Sequence, residues 1–155
     1  MNITVIATGK CKDKHINALA DEFIKRLKPF FPTKLIEVPQ VKAQSVLEIK
    51  QGEAKLQNAK IPDGSIIFAL DERGKMMHTA DFSKKLGTLR DTGTRNLVFI
   101  IGGAEGLDDS VRNKAQMLIS LSPMTFPHMM VRPIILEQIY RAGTVLAGHP
   151  YHREG

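Results

Sequence analysis

Hydrophobic positions along the chain follow two alternating periods. Short apolar runs, such as the one from 65 to 70, are typical of buried β-strands. Longer segments, such as the one from 13 to 28, place apolar residues three or four positions apart, which is typical of amphipathic helices. The predicted strands are 2–7, 34–38, 65–70, 96–101 and 117–121, and the predicted helices are 13–28, 43–59, 79–90, 109–115 and 128–147. Strands that alternate with helices in this way predict an α/β fold, with a mostly parallel sheet and helices on both faces.

Polar and helix-breaking residues refine the predicted boundaries. Thr79 or Asp81 is expected to cap the third helix, and Asp108 or Asp109 the fourth. The polar segment 71–75 is expected to be a loop after the third strand. Because Pro133 lies inside the last helix, its first turn is expected to be kinked, or the helix to begin nearer Arg132.

Composition places the chain among single-domain globular proteins. It has 155 residues, of which 43% are hydrophobic and 25% charged, so we expect one domain over 1–155. The N-terminus lacks the features of a secretion signal, and no apolar run reaches membrane-spanning length. The single cysteine, Cys11, cannot form an internal disulfide. These features predict a cytoplasmic protein that does not associate with a membrane.

Charge is concentrated in the first part of the chain. The formal net charge is +6, and residues 1–60 carry eleven Lys and Arg against six Asp and Glu. Such a surface favours polyanions, and nucleic acid is the leading candidate. A solvated helix face would give the same pattern, and charge alone does not separate the two interpretations.

Three segments near predicted strand ends are candidates for ligand binding. Gly102-Gly103 follows the fourth strand without the spacing of a dinucleotide or phosphate loop, so it favours either close approach of a ligand or a tight turn. Leu70 ends the third predicted strand, and the same two interpretations apply to it. The segment Leu121-Ser-Pro-Met-Thr-Phe-Pro-His128 combines two prolines with apolar side chains, which suits an adenine ring, although a plain connector is the alternative.

The C-terminal tail is the remaining candidate. In His149-Pro-Tyr-His-Arg153, Tyr151 could stack on a base and Arg153 could bind a phosphate, while a disordered tail is the alternative. The histidines at 128, 149 and 152 lack the partners and spacing of a metal site, so no metal is expected.

Taken together, these segments resemble one enzyme family over the whole length of the chain. The family is the SPOUT-class bacterial methyltransferases that modify N3 of a pseudouridine in large-subunit ribosomal RNA. The segments that carry the resemblance are Ile3–Lys10, Leu35–Pro39, Ile101–Leu107, Leu121–His128, Glu137–Ala142 and His149–Glu154.

The resemblance implies a fold and a cofactor that periodicity alone does not predict. The C-terminal part would form a deep trefoil knot, and the methyl donor would be S-adenosylmethionine. The residues implied in donor binding are Leu70, Gly102, Leu121, Ser122, Pro123, Met124, Thr125 and Phe126. The family also implies a homodimer in which the last helices pack together and the tail of one subunit completes the site of the other.

The implied reaction needs the N3 proton of the base to be lost, so a general base or a stabilising cation is expected. The first candidates are His152 and Arg153, and the secondary ones are His128, Glu105, Arg132 and Arg141. Residues expected to contact RNA on the ribosome are Tyr151, Arg132, Arg141 and His128. Two other functions remain open: a non-catalytic RNA-binding or ribosome-assembly protein, and a knotted methyltransferase that acts on a ribose 2′-oxygen or on tRNA.

Overall fold

The computed structural model describes residues 1–152 as five strands that alternate with five helices. This confirms the type and order of all ten predicted elements. Their bounds are β1 Asn2–Thr8, α1 Lys14–Leu27, β2 Thr33–Val38, α2 Val46–Asn58, β3 Ile66–Lys75, α3 Thr79–Asp91, β4 Asn96–Ile101, α4 Asp109–Lys114, β5 Met117–Ile119 and α5 His128–Leu146.

The five strands form one sheet in the order β2-β1-β4-β3-β5, and every neighbouring pair is parallel. In a parallel sheet both faces are covered by helices, so the inner strands are apolar on both sides. Strand β4 illustrates this, because Leu97 to Ile101 are all buried. Since all strands point the same way, the loops that follow them meet at one edge of the sheet.

Alternate residues of the strands serve two separate cores. Leu97, Phe99 and Ile101 belong to a core that α1, α3 and α5 cover on one face. Val98 and Ile100 belong to a smaller core under α2 and α4 on the other face. The prediction of helices on both faces is therefore confirmed.

Side chains cap the starts of α1, α2 and α4, whereas α3 and α5 start without a side-chain cap. Asp108 caps α4, as predicted, by accepting a hydrogen bond from the backbone N–H of Ser110 at 2.9 Å. Ser45 and Glu48 form a reciprocal capping box at the start of α2, and Asp13 caps α1. The expected cap of α3 by Thr79 or Asp81 is wrong, because the helix already begins at Thr79, and its N-cap is His78, which makes no side-chain capping bond.

The expected loop at 71–75 is also wrong, because β3 continues to Lys75. Ile119 of β5 pairs first with Leu70 and again with Lys75, across an irregularity between them. A Cβ at Gly74 would lie 2.5 Å from the backbone of Ile119, so the chain bends closely around the end of β5. Strand β5 in turn ends at Ile119 rather than at Leu121. The trefoil knot itself stays a prediction.

Helix α5 is continuous from His128 to Leu146, so the expected start nearer Arg132 is wrong. The kink in its first turn stays a prediction. Pro133 lies in the second turn, where it removes one backbone hydrogen bond near the helix start. Gly143 has a packing role, since a Cβ there would lie 2.7 Å from Cβ of Phe30, next to the end of α1.

Two glycine substitutions test this packing. Gly143→Ala should lower the free energy of unfolding by about 1–3 kcal/mol. The new methyl group would meet Cβ of Phe30, which is bonded directly to the backbone and cannot move away easily. Gly87→Ala in α3 is the matched control: its Cβ meets only the mobile tip of Leu146, and alanine favours the helix by about 1 kcal/mol. Urea unfolding of both variants measures the difference, and equal destabilisation would contradict the packing argument.

Candidate functional site

A cleft of about 550 Å³ opens at the edge of the sheet where β3, β4 and β5 end, beside the start of α5. It brings together the three segments selected from the sequence, because the carboxyl ends of parallel strands meet at this edge. Of the predicted donor-binding residues, the cleft is lined by Leu70, Gly102, Leu121, Ser122, Met124, Thr125 and Phe126. Pro123 is not among its lining residues.

Glycines shape the middle wall of the cleft. A Cβ at Gly102 would lie 2.9 Å from the carbonyl carbon of Gly106, and Gly106 has a φ of +79°, which favours glycine. Gly103 and Gly106 also form an isolated antiparallel bridge. The segment is therefore a tight turn, and the same turn leaves bare backbone at the cleft surface.

The segment 121–126 forms an apolar wall. The side chains of Met124 and Phe126 are 78% and 40% exposed, which is unusual for large apolar residues. The hydroxyl of Ser122 accepts a hydrogen bond from the backbone N–H of Met124 at 2.9 Å. Ser122 thus fixes this turn.

An ionic cluster that the sequence analysis missed joins two walls of the cleft. Asp71 of β3 accepts hydrogen bonds from Arg73 at 3.0 Å and lies 3.4 Å from Nη1 of Arg112 in α4. Burial acts to raise the pKa of Asp71, but the hydrogen bonds from Arg73 outweigh it and hold the pKa below its ordinary value. Arg112 also donates to the carbonyl of Leu107 and to the carboxylate of Asp109. The signal in the sequence is weak, because these residues are 41 positions apart.

His128 lies where α5 meets the cleft. The residue is half-buried, and its Nε2 is buried without a hydrogen-bond partner among the described residues. Burial, and then the positive charge of Arg132, lower the pKa of His128 below its usual value. The ring is therefore neutral at pH 7, and a neutral imidazole keeps one nitrogen able to accept a hydrogen bond.

Arg132 was expected to contact RNA, but it is only 1% exposed. Its guanidinium donates to the carbonyl oxygens of Thr8, at 2.8 Å, and Gly9. Glu37 supplies a carboxylate oxygen 3.5 Å from Nη1. In this conformation Arg132 offers no surface to RNA, because its hydrogen-bonding groups are turned into the end of the sheet.

The tail lies on the side of α5 away from the cleft. The hydroxyl of Tyr151 donates to Glu137 at 3.1 Å, and Nη1 of Arg141 lies 3.2 Å from Nδ1 of His152. The Tyr151 ring also packs edge-on against Tyr140. At 100° per residue, Glu137 points roughly 180° away from His128 and lies about 14 Å farther along the helix. Within one chain, the described part of the tail therefore does not reach the cleft. Arg153 lies outside the described residues.

Six of the eleven basic residues within 1–60 form two exposed groups, and a seventh, Lys50, is half-buried and lines the cleft itself. Lys10, Lys12 and Lys14 lie after β1, at the edge of the sheet that carries the cleft. Lys25, Arg26 and Lys28 lie at the other end of α1, about 20 Å away. Only the first group is positioned to serve a ligand at this edge.

Residues 1–152 contain neither a candidate membrane span nor a candidate metal site. No helix in that range is both long enough and apolar enough to cross a membrane. In the same range, no group of three or more His, Cys, Asp or Glu side chains is arranged to hold a metal ion.

Solved structures place the architecture in a known class. A protein described as a methylase family member from Neisseria gonorrhoeae matches 99% of this chain and 87% of its own, with 14% identity and a TM-score of 0.59. A protein described as a probable methyltransferase from Bordetella pertussis matches 91% of this chain and 95% of its own, with 13% identity and a TM-score of 0.59. At such low identity, these matches show that the chains share one α/β fold and no more.

The sequence defines the family. The family model described as predicted SPOUT methyltransferase matches residues 1–152, and the chain belongs to this family of methyltransferases. A relative from Rhodospirillum centenum is 44% identical over 153 residues, covering 99% of both chains. One from Alkaliphilus oremlandii is 41% identical over 161 residues, covering 99% of this chain and all of the other. Both relatives are named ribosomal RNA large subunit methyltransferase H.

Arg132→Ala tests whether this residue holds α5 against the sheet. We expect the free energy of unfolding to fall by about 3 kcal/mol, because the carbonyls of Thr8 and Gly9 would stay buried without donors. The control is Arg26→Ala, which removes an exposed ion pair with Glu22 and should leave the unfolding curve unchanged. Urea unfolding compares the two, and a wild-type curve for Arg132→Ala would show that the buried contacts contribute nothing.

Proposed function

We propose that this protein transfers a methyl group from S-adenosylmethionine to N3 of a pseudouridine in large-subunit ribosomal RNA, on the assembled ribosome. The observation that carries the proposal is the cleft, in which the three strand-end segments line one cavity in a chain of the methyltransferase family. The names of the two full-length relatives support the ribosomal substrate. A ribosomal substrate would place the enzyme in the bacterial cytoplasm.

The cleft fits S-adenosylmethionine in size and in chemistry. Its volume of about 550 Å³ lies in the range of small-molecule sites. The apolar side chains of Leu121, Met124 and Phe126 suit an adenine ring, and the backbone of the Gly102 turn can approach a ligand closely. Glu72 and Glu105 add exposed carboxylates that suit a cationic ligand. When bound, S-adenosylmethionine supplies an electrophilic methyl group.

The chain must also remove or neutralise the N3 proton of the acceptor base. We assign this role to His152 and Arg153 of the tail, with Tyr151 and Arg141 contacting the RNA nearby. His128 is the ionisable side chain at the start of α5 that lines the cleft, and its neutral ring can accept a hydrogen bond there. Placing base, acceptor and donor in one geometry would provide much of the rate enhancement.

A homodimer would bring the tail and the cleft together. The tail packs on its own α5 far from its own cleft, so the tail at a given cleft would come from a second copy. Large apolar side chains are exposed around the cleft mouth, including Met76, Met124, Phe126 and Met130. A neighbouring apolar groove, lined by Phe82, Ile134 and Ile135 among others, extends this surface along α5. Such a surface supports an interface between two copies.

RNA would reach the cleft along its basic edge. Lys10, Lys12 and Lys14 are exposed where the chain leaves β1, at the same edge as the cleft loops. Their charges would bind phosphates near the acceptor base, and such contacts position RNA without reading its sequence.

The product of the reaction tests the proposal. Purified protein incubated with S-adenosylmethionine and ribosomes that lack the modification should yield N3-methylpseudouridine, detected by mass spectrometry of the digested RNA. Methylation of a ribose, which gives a different nucleoside fragment, would support the second candidate activity, as would methylation of tRNA supplied in a parallel reaction. Absence of any methylated product, together with absence of donor binding by calorimetry, would favour a non-catalytic RNA-binding protein.

Mixing two inactive variants tests the shared site. The first variant, Gly102→Val, obstructs the cleft, and the second lacks residues 149–155. In an equal mixture, half of the dimers should contain one copy of each variant. Each of these heterodimers would hold one site with an intact cleft and an intact tail. Activity should therefore return to about a quarter of the wild-type level. Variants mixed after covalent cross-linking of each homodimer serve as the control and should stay inactive. No recovery in freely exchanging mixtures would contradict a tail that acts on the partner.

A further inference from the structure

Glu53 is a buried carboxyl group that the cleft does not expose. It lies on α2 and is 4% exposed, among the apolar and polar residues that close the sheet edge behind the cleft. Its Oε1 accepts a hydrogen bond from the backbone N–H of Val41 at 3.4 Å, in the segment between β2 and α2. Its Oε2 is buried and has no hydrogen-bond partner among the described residues.

The unpartnered oxygen lies against the turn that lines the cleft. A Cβ at Gly103 would be 2.8 Å from Oε2 of Glu53 and 3.1 Å from Cγ2 of Thr8. Gly103 has no positive φ, so the approach of Glu53 explains why a side chain does not fit at this position. One side of the Gly103 backbone therefore touches the carboxyl group, and the same residue lines the cleft.

The surroundings of Glu53 disfavour a negative charge. Burial, and then the charge of Glu105 on the same turn as Gly103, raise its pKa above the ordinary value, and the bond from Val41 lowers it only in part. No Lys, Arg or His forms a salt bridge with Glu53 within residues 1–152. Lys50, one turn earlier on α2, lines the cleft, and Arg132 from α5 directs its guanidinium to the carbonyls of Thr8 and Gly9.

Resting on the proposed donor role of the cleft, we propose that Glu53 is a positioning residue whose side chain, held between Val41 and Gly103, sets the Gly102–Leu107 turn for donor binding. The group spans the gap between the segment at Val41 and the back of Gly103. If it ionised, the buried charge would draw water or a cation toward itself and displace the turn. The geometry of the cleft wall would then depend on the protonation of a residue that never touches the donor.

Two substitutions separate shape from charge. Glu53→Gln keeps the size of the group and an oxygen that can accept from Val41, and it cannot ionise, so we expect donor affinity within about twofold of the wild type at the low-pH end of the wild-type profile. Glu53→Ala removes the support behind Gly103, and we expect the dissociation constant for S-adenosylmethionine to rise about tenfold. Isothermal titration calorimetry with S-adenosylmethionine and the full-length protein measures both.

The pH dependence of donor binding is a readout that simple packing would not change. Wild-type affinity should fall as the pH rises through the raised pKa of Glu53, whereas Glu53→Gln should lack that fall over the same range. Glu22→Gln, which removes an exposed carboxylate on α1, is the matched control and should keep the wild-type profile. This comparison decides the question even if Glu53→Ala fails to fold.

Stability gives a second, donor-free readout. Because the pKa of Glu53 is raised on folding, its contribution is fully present below about pH 4.3 and is lost as the pH rises through the folded-state pKa. Glu53→Gln should therefore melt at a higher temperature than the wild type at pH 8, with the difference shrinking toward pH 4.

The outcomes are distinguishable. Wild-type protein that binds no S-adenosylmethionine at any pH would overturn the proposed function, and this inference with it. If both Glu53 variants bind S-adenosylmethionine as tightly as the wild type, the role of Glu53 is overturned. The same holds if Glu53→Gln shows the pH profile of the wild type. Either result leaves the proposed function intact.

Discussion

The structure depends on how one buried positive charge is compensated. Arg132 enters the interior from α5 and would be strongly unfavourable there without partners. The end of β1 provides them, because the carbonyls of Thr8 and Gly9 are no longer needed for pairing within the sheet where the strand stops. Glu37 from the end of β2 adds a carboxylate. This arrangement fixes the first turns of α5 against the sheet, and the same turns carry His128 and Val131 into the cleft wall.

Polar contacts continue from this charge along the inside of the sheet edge. Thr8, whose carbonyl binds Arg132, also accepts a hydrogen bond on its hydroxyl from Gln57 of α2 at 2.8 Å. One turn earlier on α2, Glu53 lies against Gly103. The centre of the sheet is packed with apolar side chains, while its carboxyl edge is held by buried polar groups. Buried polar groups keep their hydrogen bonds in only a few arrangements. They therefore fix the positions of the loops more closely than apolar packing would.

Local patterns predicted the elements, and long-range contacts account for what they missed. The apolar run at Asn96–Ile101 matches its strand at both ends, since burial on both faces leaves a continuous signal. The extension of β3 to Lys75 depends on pairing with Ile119, which no local pattern records. Arg132 shares the helical spacing of the buried residues Ile135 and Leu136, but its charge favoured an exposed position, and its acceptors lie 123 and 124 positions away. The cleft segments were found because glycine and proline mark strand ends, whereas Asp71, Arg112 and Glu53 act through partners distant in sequence.

The geometry of α5 explains why one copy would be insufficient for the proposed reaction. The helix has 19 residues and is about 28 Å long, with the cleft at its start and the tail folded back on its opposite side. A chain of this length cannot turn its own tail around the helix to the cleft without giving up the contacts of Tyr151 with Glu137 and Tyr140. Two copies packed with their α5 helices antiparallel would place the start of each helix near the end of the other. A two-fold axis would make the two sites equivalent, so the contacts that hold the tail to its own helix would also aim it at the partner.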